Sequence, residues 1–243
     1  MADSSGDSRP PQYILRKLFE AASKGNLTAI KGILLTFPSA LNTPAKDMMP
    51  FSEGDLVIHA AAERGHMDIV DYLVSKGASI NAHNAANGDT PLISAMQPEY
   101  VRELIKRGAD VNLRRNDGST ALFRAANTGF SQKARTLLEL GADPDIPDET
   151  GRTPLLGALH GCAGETPMIL VNEFNAKVNV IDCNGKTPLM LARERMSWDG
   201  GMHPLEKVLL EKGAQELDQL MGEGVWMKGK TMRPLKFKRG PQN

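Results

Sequence analysis

Two cysteines, Cys162 and Cys183, stand in 243 residues. They cannot build a disulfide framework, which fits a reducing compartment. The formal net charge is +0, so nothing draws the whole chain toward nucleic acid or an anionic membrane surface. The sequence contains no run of about eighteen apolar residues, the length a membrane-crossing helix needs. Met1 to Gln12 are polar, with Pro10-Pro11. They lack the apolar core of a secretory signal and read as a short disordered lead. Glycine-rich loops of the Walker or dinucleotide type are missing, and so is any cluster of ligands at metal-binding spacing. No cofactor or metal is therefore expected. His160 and Cys162 lie two residues apart near a glycine-rich turn. A nucleophile pair also needs an orienting third group and an oxyanion donor, and none is evident. Cys162 reads as an ordinary turn thiol.

What is present is a period. Thr-Pro-Leu occurs at Thr90, Thr153 and Thr187, with degenerate copies Thr120-Ala121-Leu122 and Leu56-Val57-Ile58. Counted from Leu56, successive anchors are 34, 30, 33 and 34 residues apart, which signals one supersecondary unit copied in tandem. Within each copy, Thr suits a helix N-cap and Pro the first helical position. Leu and the paired alanines Ala61-Ala62 and Ala125-Ala126 face inward. Ile69, Val70, Leu73 and Val74 form the apolar stripe of a second helix. Gly77, Gly108, Gly141 and Gly213 follow the second helices, where a left-handed residue is expected, and Asn175 holds the equivalent place in the fifth unit. Asn87-Gly88 and Asp117-Gly118 are tight-turn dipeptides between extended stretches.

Anchor, alanine pair, closing Gly-Ala and Asp/Asn-Gly turn in one register resemble the ankyrin repeat over roughly residues 13–218. The resemblance implies an all-α repeat solenoid of helix-turn-helix units joined by β-hairpin loops. Six repeats are expected, at approximately 13–47, 48–83, 84–114, 115–147, 148–181 and 182–218. The first is a divergent cap carrying Leu18, Ala21-Ala22, Gly25, Ile30 and Ile33-Leu34-Leu35 without the anchor. These units form a single elongated domain, preceded by 1–12 and followed by a tail at 219–243. His59 takes the place of a structural histidine that bonds neighbouring backbone.

Departures from the pattern mark where this stack is individual. The first hairpin, Asn42 to Gly54, is about twice its usual length. Its residues Met48, Met49 and Phe51 either contact a partner or fold onto their own repeat. The third unit is three residues short, and Pro98 is expected to start its second helix. The fifth has a modified turn from His160 to Gly164, and the sixth an insertion containing Trp198, a residue type enriched at binding hot spots.

The resemblance also implies a concave surface of hairpin tips and inner helices. The residues preceding the anchors would face it: Asp55, Asp89, Ser119, Arg152 and Lys186. Glu63, Arg64, Gln97, Asn127, His160, Glu194 and Arg195 would join them from the ends of the first helices. The sign runs from acidic to basic, which would set a partner's register and association rate. Asn81, Asn112 and Asn179 occupy the position that asparagine hydroxylases modify in some ankyrin proteins.

The expected function is a non-catalytic scaffold or adaptor that binds another protein. The chain would be monomeric and cytoplasmic. From Lys228 onward the tail holds six basic residues and no acidic ones, leaving −6 on the rest of the chain. It is either a solvated end or an arm for a nuclear or nucleic-acid role. An enzyme with a site in the groove is the remaining alternative.

Overall fold

The computed structural model describes residues 9–161, 164–194 and 204–221. The chain falls into two compact units that part between Asn116 and Asp117. The first holds α1 (Gln12–Ser23), α2 (Leu27–Thr36), α3 (Val57–Arg64), α4 (Met67–Ser75), α5 (Pro91–Ser94) and α6 (Pro98–Lys106). A 3-10 turn at Pro38–Asn42 follows α2. The second unit holds α7 (Ala121–Thr128), α8 (Ser131–Glu139), α9 (Pro154–His160) and α10 (Thr166–Met168). α10 runs into a π-helical turn, Ile169–Glu173. α11 (Pro188–Glu194), α12 (Pro204–Glu211) and α13 (Leu217–Met221) complete it.

Each unit stacks antiparallel helix pairs by their first members, α1 on α3 on α5 and α7 on α9 on α11. The alanine pairs make this possible. Ala22, Ala61, Ala62 and Ala126 are fully buried, and a methyl side chain lets adjacent helices approach closely. Between the layers lie Leu18, Phe19, Ile30, Ile58, Ile69, Leu73, Leu92 and Leu104 in the first unit. Leu122, Leu137, Leu155 and Leu156 fill the same role in the second.

The anchors cap as their chemistry requires at three of the four threonines. Thr90, Thr120 and Thr187 accept from the amides of Ile93, Phe123 and Met190 at 3.4, 3.2 and 3.2 Å. Thr153 makes no such bond, and its buried Oγ1 has no hydrogen-bond partner among the described residues. In the second unit of the sequence, where Leu56 replaces threonine, His59 takes over. Its Nδ1 accepts from the Leu56 amide at 3.0 Å. The proton therefore sits on Nε2, which donates to the carbonyl of Asp89 at 3.0 Å.

The shortened third unit keeps its second helix by trimming the first. α5 is four residues long, and α6 opens on Pro98 at its first position. Asn175 adopts φ +50°, standing in for the glycines that close the other second helices. The connecting loops hold no strand among the described residues, only isolated bridge residues at Arg114 and Thr120. The hairpin loops are tight turns rather than extended ladders: the amides of Asn84, Asp148 and Asp182 donate to the carbonyls of Asp89, Arg152 and Lys186 at 2.8, 2.9 and 3.1 Å. Buried side chains take further loop amides, described next.

Candidate functional site

Three loops are each organised by an Asn or Asp that the sequence pattern did not single out. Asn84 is buried, and its Oδ1 accepts from the amides of Asn87 and Gly88 at 3.0 and 2.9 Å. Asp148 accepts from Thr150 and Arg152 amides at 2.9 and 3.0 Å. Asp182 accepts from Asn184 and Lys186 amides at 2.9 Å each. A buried acceptor facing several backbone donors fixes the loop without any strand. The available signal was spacing: these three lie five or six residues before Thr90, Thr153 and Thr187.

In the first unit this network draws in residues expected on the surface. Asp55 is 9% exposed and accepts from Asn84 Nδ2 at 2.9 Å. Burial pushes its carboxyl above the ordinary carboxylate range, and the Asn84 hydrogen bond opposes that rise. Asp89 pairs with Arg115 at 2.5 Å, with the arginine side chain 8% exposed. Neither aspartate is presented free to a partner, because each is tied to its own fold. Arg64 is exposed and Glu63 half-buried, 3.7 Å from one another, and Gln97 is exposed at the start of α6.

The lengthened first loop divides between both expectations. Met48 is buried, so it is not a surface contact. Phe51 packs against Phe19 with ring centroids 5.2 Å apart. Met49, next to Met48, is 81% exposed.

In the second unit Ser119 is fully buried and donates from Oγ to Asp117 Oδ1 at 2.5 Å. It offers no surface, because a loop bond claims its hydroxyl. Arg152 and Lys186, at the equivalent positions of the next repeats, are half-exposed. Asn127 is half-buried at the end of α7. His160 Nε2 lies 3.6 Å from the buried Oδ2 of Asp182, and Lys186 Nζ pairs with Glu194. The structure thus brings His160, Lys186 and Glu194 together around the Asp182 loop. Arg195, Trp198, Cys162 and the basic tail lie outside the described residues.

Asn81 and Asn179 link consecutive repeats. Asn81 accepts from the Asp110 amide at 2.9 Å and donates to the Gly108 carbonyl at 3.4 Å. Asn179 makes the matching pair with Gln215 and Gly213, both at 2.9 Å. Asp145 holds the same place between them and accepts from the Lys177 amide at 2.8 Å. The Asn112 amide donates to Asp110 Oδ1 at 2.9 Å. Among the described residues, no group of three or more His, Cys, Asp or Glu side chains is placed to hold a metal. None of their helices is long and apolar enough to cross a membrane.

A family model of ankyrin repeats in three copies matches residues 18–115, 58–148 and 97–164. The putative palmitoyltransferase ZDHHC13 of Danio rerio is 33% identical over 169 residues, 68% of this chain and 25% of that protein. The SH3 and multiple ankyrin repeat domains protein 1 of Homo sapiens is 34% identical over 139 residues, 54% of this chain and 6% of that protein. The ankyrin repeat and KH domain-containing protein mask-1 of Caenorhabditis elegans is 32% identical over 158 residues, 63% of this chain and 6% of that protein. The chain spans a quarter or less of each of these three relatives. With loops, caps and helix pairs repeating as described, and the family's pattern matched across most of them, the chain belongs to the ankyrin-repeat family.

Proposed function

We propose that this chain is a non-catalytic scaffold or adaptor that binds a partner protein through inner-helix and loop side chains. Ankyrin repeats generally mediate protein–protein interaction and are generally non-catalytic. The observation that carries the reading is rigidity. Buried Asn84, Asp148 and Asp182 fix the loops before any partner arrives, so little ordering entropy opposes binding. The match to a palmitoyltransferase covers a quarter of that protein.

The surface in this reading comprises Glu63, Arg64, Gln97 and Met49 in the first unit. In the second it comprises Asn127, Arg152, His160, Lys186 and Glu194. The repeat domain is taken as 13–218, working as a monomer in the cytoplasm. Affinity capture from the native cell, beside the variants Glu63→Lys with Arg64→Glu and Lys186→Glu with Glu194→Lys, tests it. Partners are expected to be lost from at least one variant. A partner set unchanged in both would refute the reading.

A second reading rests on the six basic residues after position 227. An arm of that kind would make the chain a nuclear or nucleic-acid-associated factor. Salt-dependent binding to DNA that disappears on deleting 228–243 is its signature. Hydroxylation at Asn81, Asn112 or Asn179 would accompany binding and would appear as added oxygen in the intact mass.

A further inference from the structure

Helix α9 carries a glycine where its neighbours carry side chains. Counted from the anchors, Gly157 corresponds to Arg124 in α7 and Leu191 in α11. A β-carbon on Gly157 would lie 2.9 Å from Cε2 of Phe123. The missing side chain is therefore what lets the Phe123 ring lie across α9. That ring is 5% exposed, and the Arg152 guanidinium sits over it, 5.5 Å from the centroid.

Asp148 completes the setting. Arg152 donates from Nε and Nη2 to Asp148 Oδ2 at 3.0 and 2.8 Å, and Nε also reaches Thr150 Oγ1 at 2.9 Å. Glycine, ring and carboxylate together hold one guanidinium in one orientation. Nη1 donates to nothing among the described residues, and the side chain stays 35% exposed. Arg124, the residue after Phe123, is half-buried and has neither an ion pair nor a side-chain hydrogen bond among the described residues.

We infer that Arg152 and Arg124 form a receiving site for a carboxylate side chain in an acidic segment of the partner protein. The inference rests on the protein-binding reading above and supplies the chemistry of what is bound. A guanidinium is planar and permanently charged, and its donor fork matches a carboxylate. Orienting it in advance lowers the entropy lost when the complex forms. The surrounding charge favours a peptide over a nucleic acid. Arg152 is already paired with Asp148 and Lys186 with Glu194, which leaves room to hold one carboxylate beside Arg124, whereas a phosphate backbone is gripped by several free cations in succession.

The test pans a phage-displayed random peptide library on the full chain, then measures one synthetic enriched peptide by fluorescence anisotropy. Arg124→Glu alters no bond within the fold, and Arg152→Lys keeps the charge while removing the planar fork. Enriched peptides are expected to be rich in Asp and Glu. Affinity is expected to fall about tenfold or more in Arg124→Glu, as when a desolvated charge pair is broken, and severalfold in Arg152→Lys. The thermal midpoint of Arg124→Glu should match wild type. Enriched peptides without acidic bias, or acidic peptides still held by Arg124→Glu, would overturn the carboxylate site and leave protein binding standing. No enriched peptide of any composition would overturn the carboxylate site, while the affinity capture above decides protein binding itself. An oligonucleotide that displaces the acidic peptide overturns the site in favour of phosphate.

Discussion

The imidazole of His59 donates from Nε2 to the main-chain carbonyl of Asp89, thirty residues further along, at 3.0 Å. Its other nitrogen accepts from the Leu56 amide, so one ring closes a helix start and fastens it to the next loop. The side chain is 1% exposed. His59→Ala strands the half-buried Leu56 amide and leaves the Asp89 carbonyl with the Asn84 amide alone, at 2.8 Å. A loss of about 1–3 kcal/mol is expected, the cost of one unsatisfied group. Urea denaturation of wild type and variant measures it; a loss below the scatter of ordinary surface variants would contradict this role.

Asp55 gives the protein a pH dependence of a particular sign. Its folded-state carboxyl is raised by burial, so the native state binds its proton more readily than the unfolded chain does. Stability from this group is fully present below the ordinary carboxylate value and is lost as pH rises through the raised one. Asp55→Asn keeps an acceptor for Asn84 and removes the titration. The variant should gain stability relative to wild type as pH rises through that window. Thermal melts of both proteins at a series of pH values check the trend, and parallel curves would contradict it.

The four threonine anchors should not respond alike. Thr120→Ala removes the bond to the Phe123 amide and should cost about 1 kcal/mol, the usual worth of an N-cap. Thr153 makes no cap bond, and its buried hydroxyl lacks a partner among the described residues. Thr153→Val should therefore be neutral or stabilising, since it replaces an unsatisfied polar atom with an apolar one of like shape. Denaturation midpoints of the two variants, measured side by side, settle the contrast.

Glycines separate in the same way. Nothing lies within 4 Å of a β-carbon built on Gly32, which sits inside α2. Gly32→Ala should stabilise by about 0.5–1 kcal/mol through helix propensity. A β-carbon on Gly161 would stand 1.8 Å from the carbonyl oxygen of Asn127, which is backbone and cannot swing aside. Gly161→Ala should destabilise by more than the about 1–3 kcal/mol typical of overpacking. Equal midpoints for the two variants would show that the second contact yields easily.

The helices and their ends were legible because local chemistry sets them. Pro98 opens α6, Asn175 closes a second helix at positive φ, and the alanine pairs are buried. The loops were less legible. Asn84, Asp148 and Asp182 look like solvated turn residues by composition, and only the fold places them against converging amides. Ser119 and Asp55 precede anchors just as Arg152 and Lys186 do, yet the first two are buried. Their short side chains bond to loop residues and are covered there, whereas Arg152 reaches back to Asp148 and Thr150 and Lys186 across to Glu194 with part of each longer side chain left in solvent. Met48 and Met49 are the sharpest case, since identical neighbours part into core and solvent by the course of a loop that no local propensity fixes. The π-helical turn at Ile169–Glu173, which buries Ile169, Leu170 and Val171, had no counterpart in the sequence pattern.

The amide of Asn81 meets a donor with its oxygen and an acceptor with its nitrogen, both in the next repeat. Deamidation would exchange that nitrogen for oxygen with almost no change of shape and set two oxygens against each other at Gly108. Asn179 is exposed to the same ageing at Gly213. Asp145 already carries a carboxylate at this position, and there Lys177 supplies a compensating ammonium at 3.5 Å. These three joints thus differ in chemical lifetime: those of Asn81 and Asn179 depend on an amide staying intact, and that of Asp145 does not.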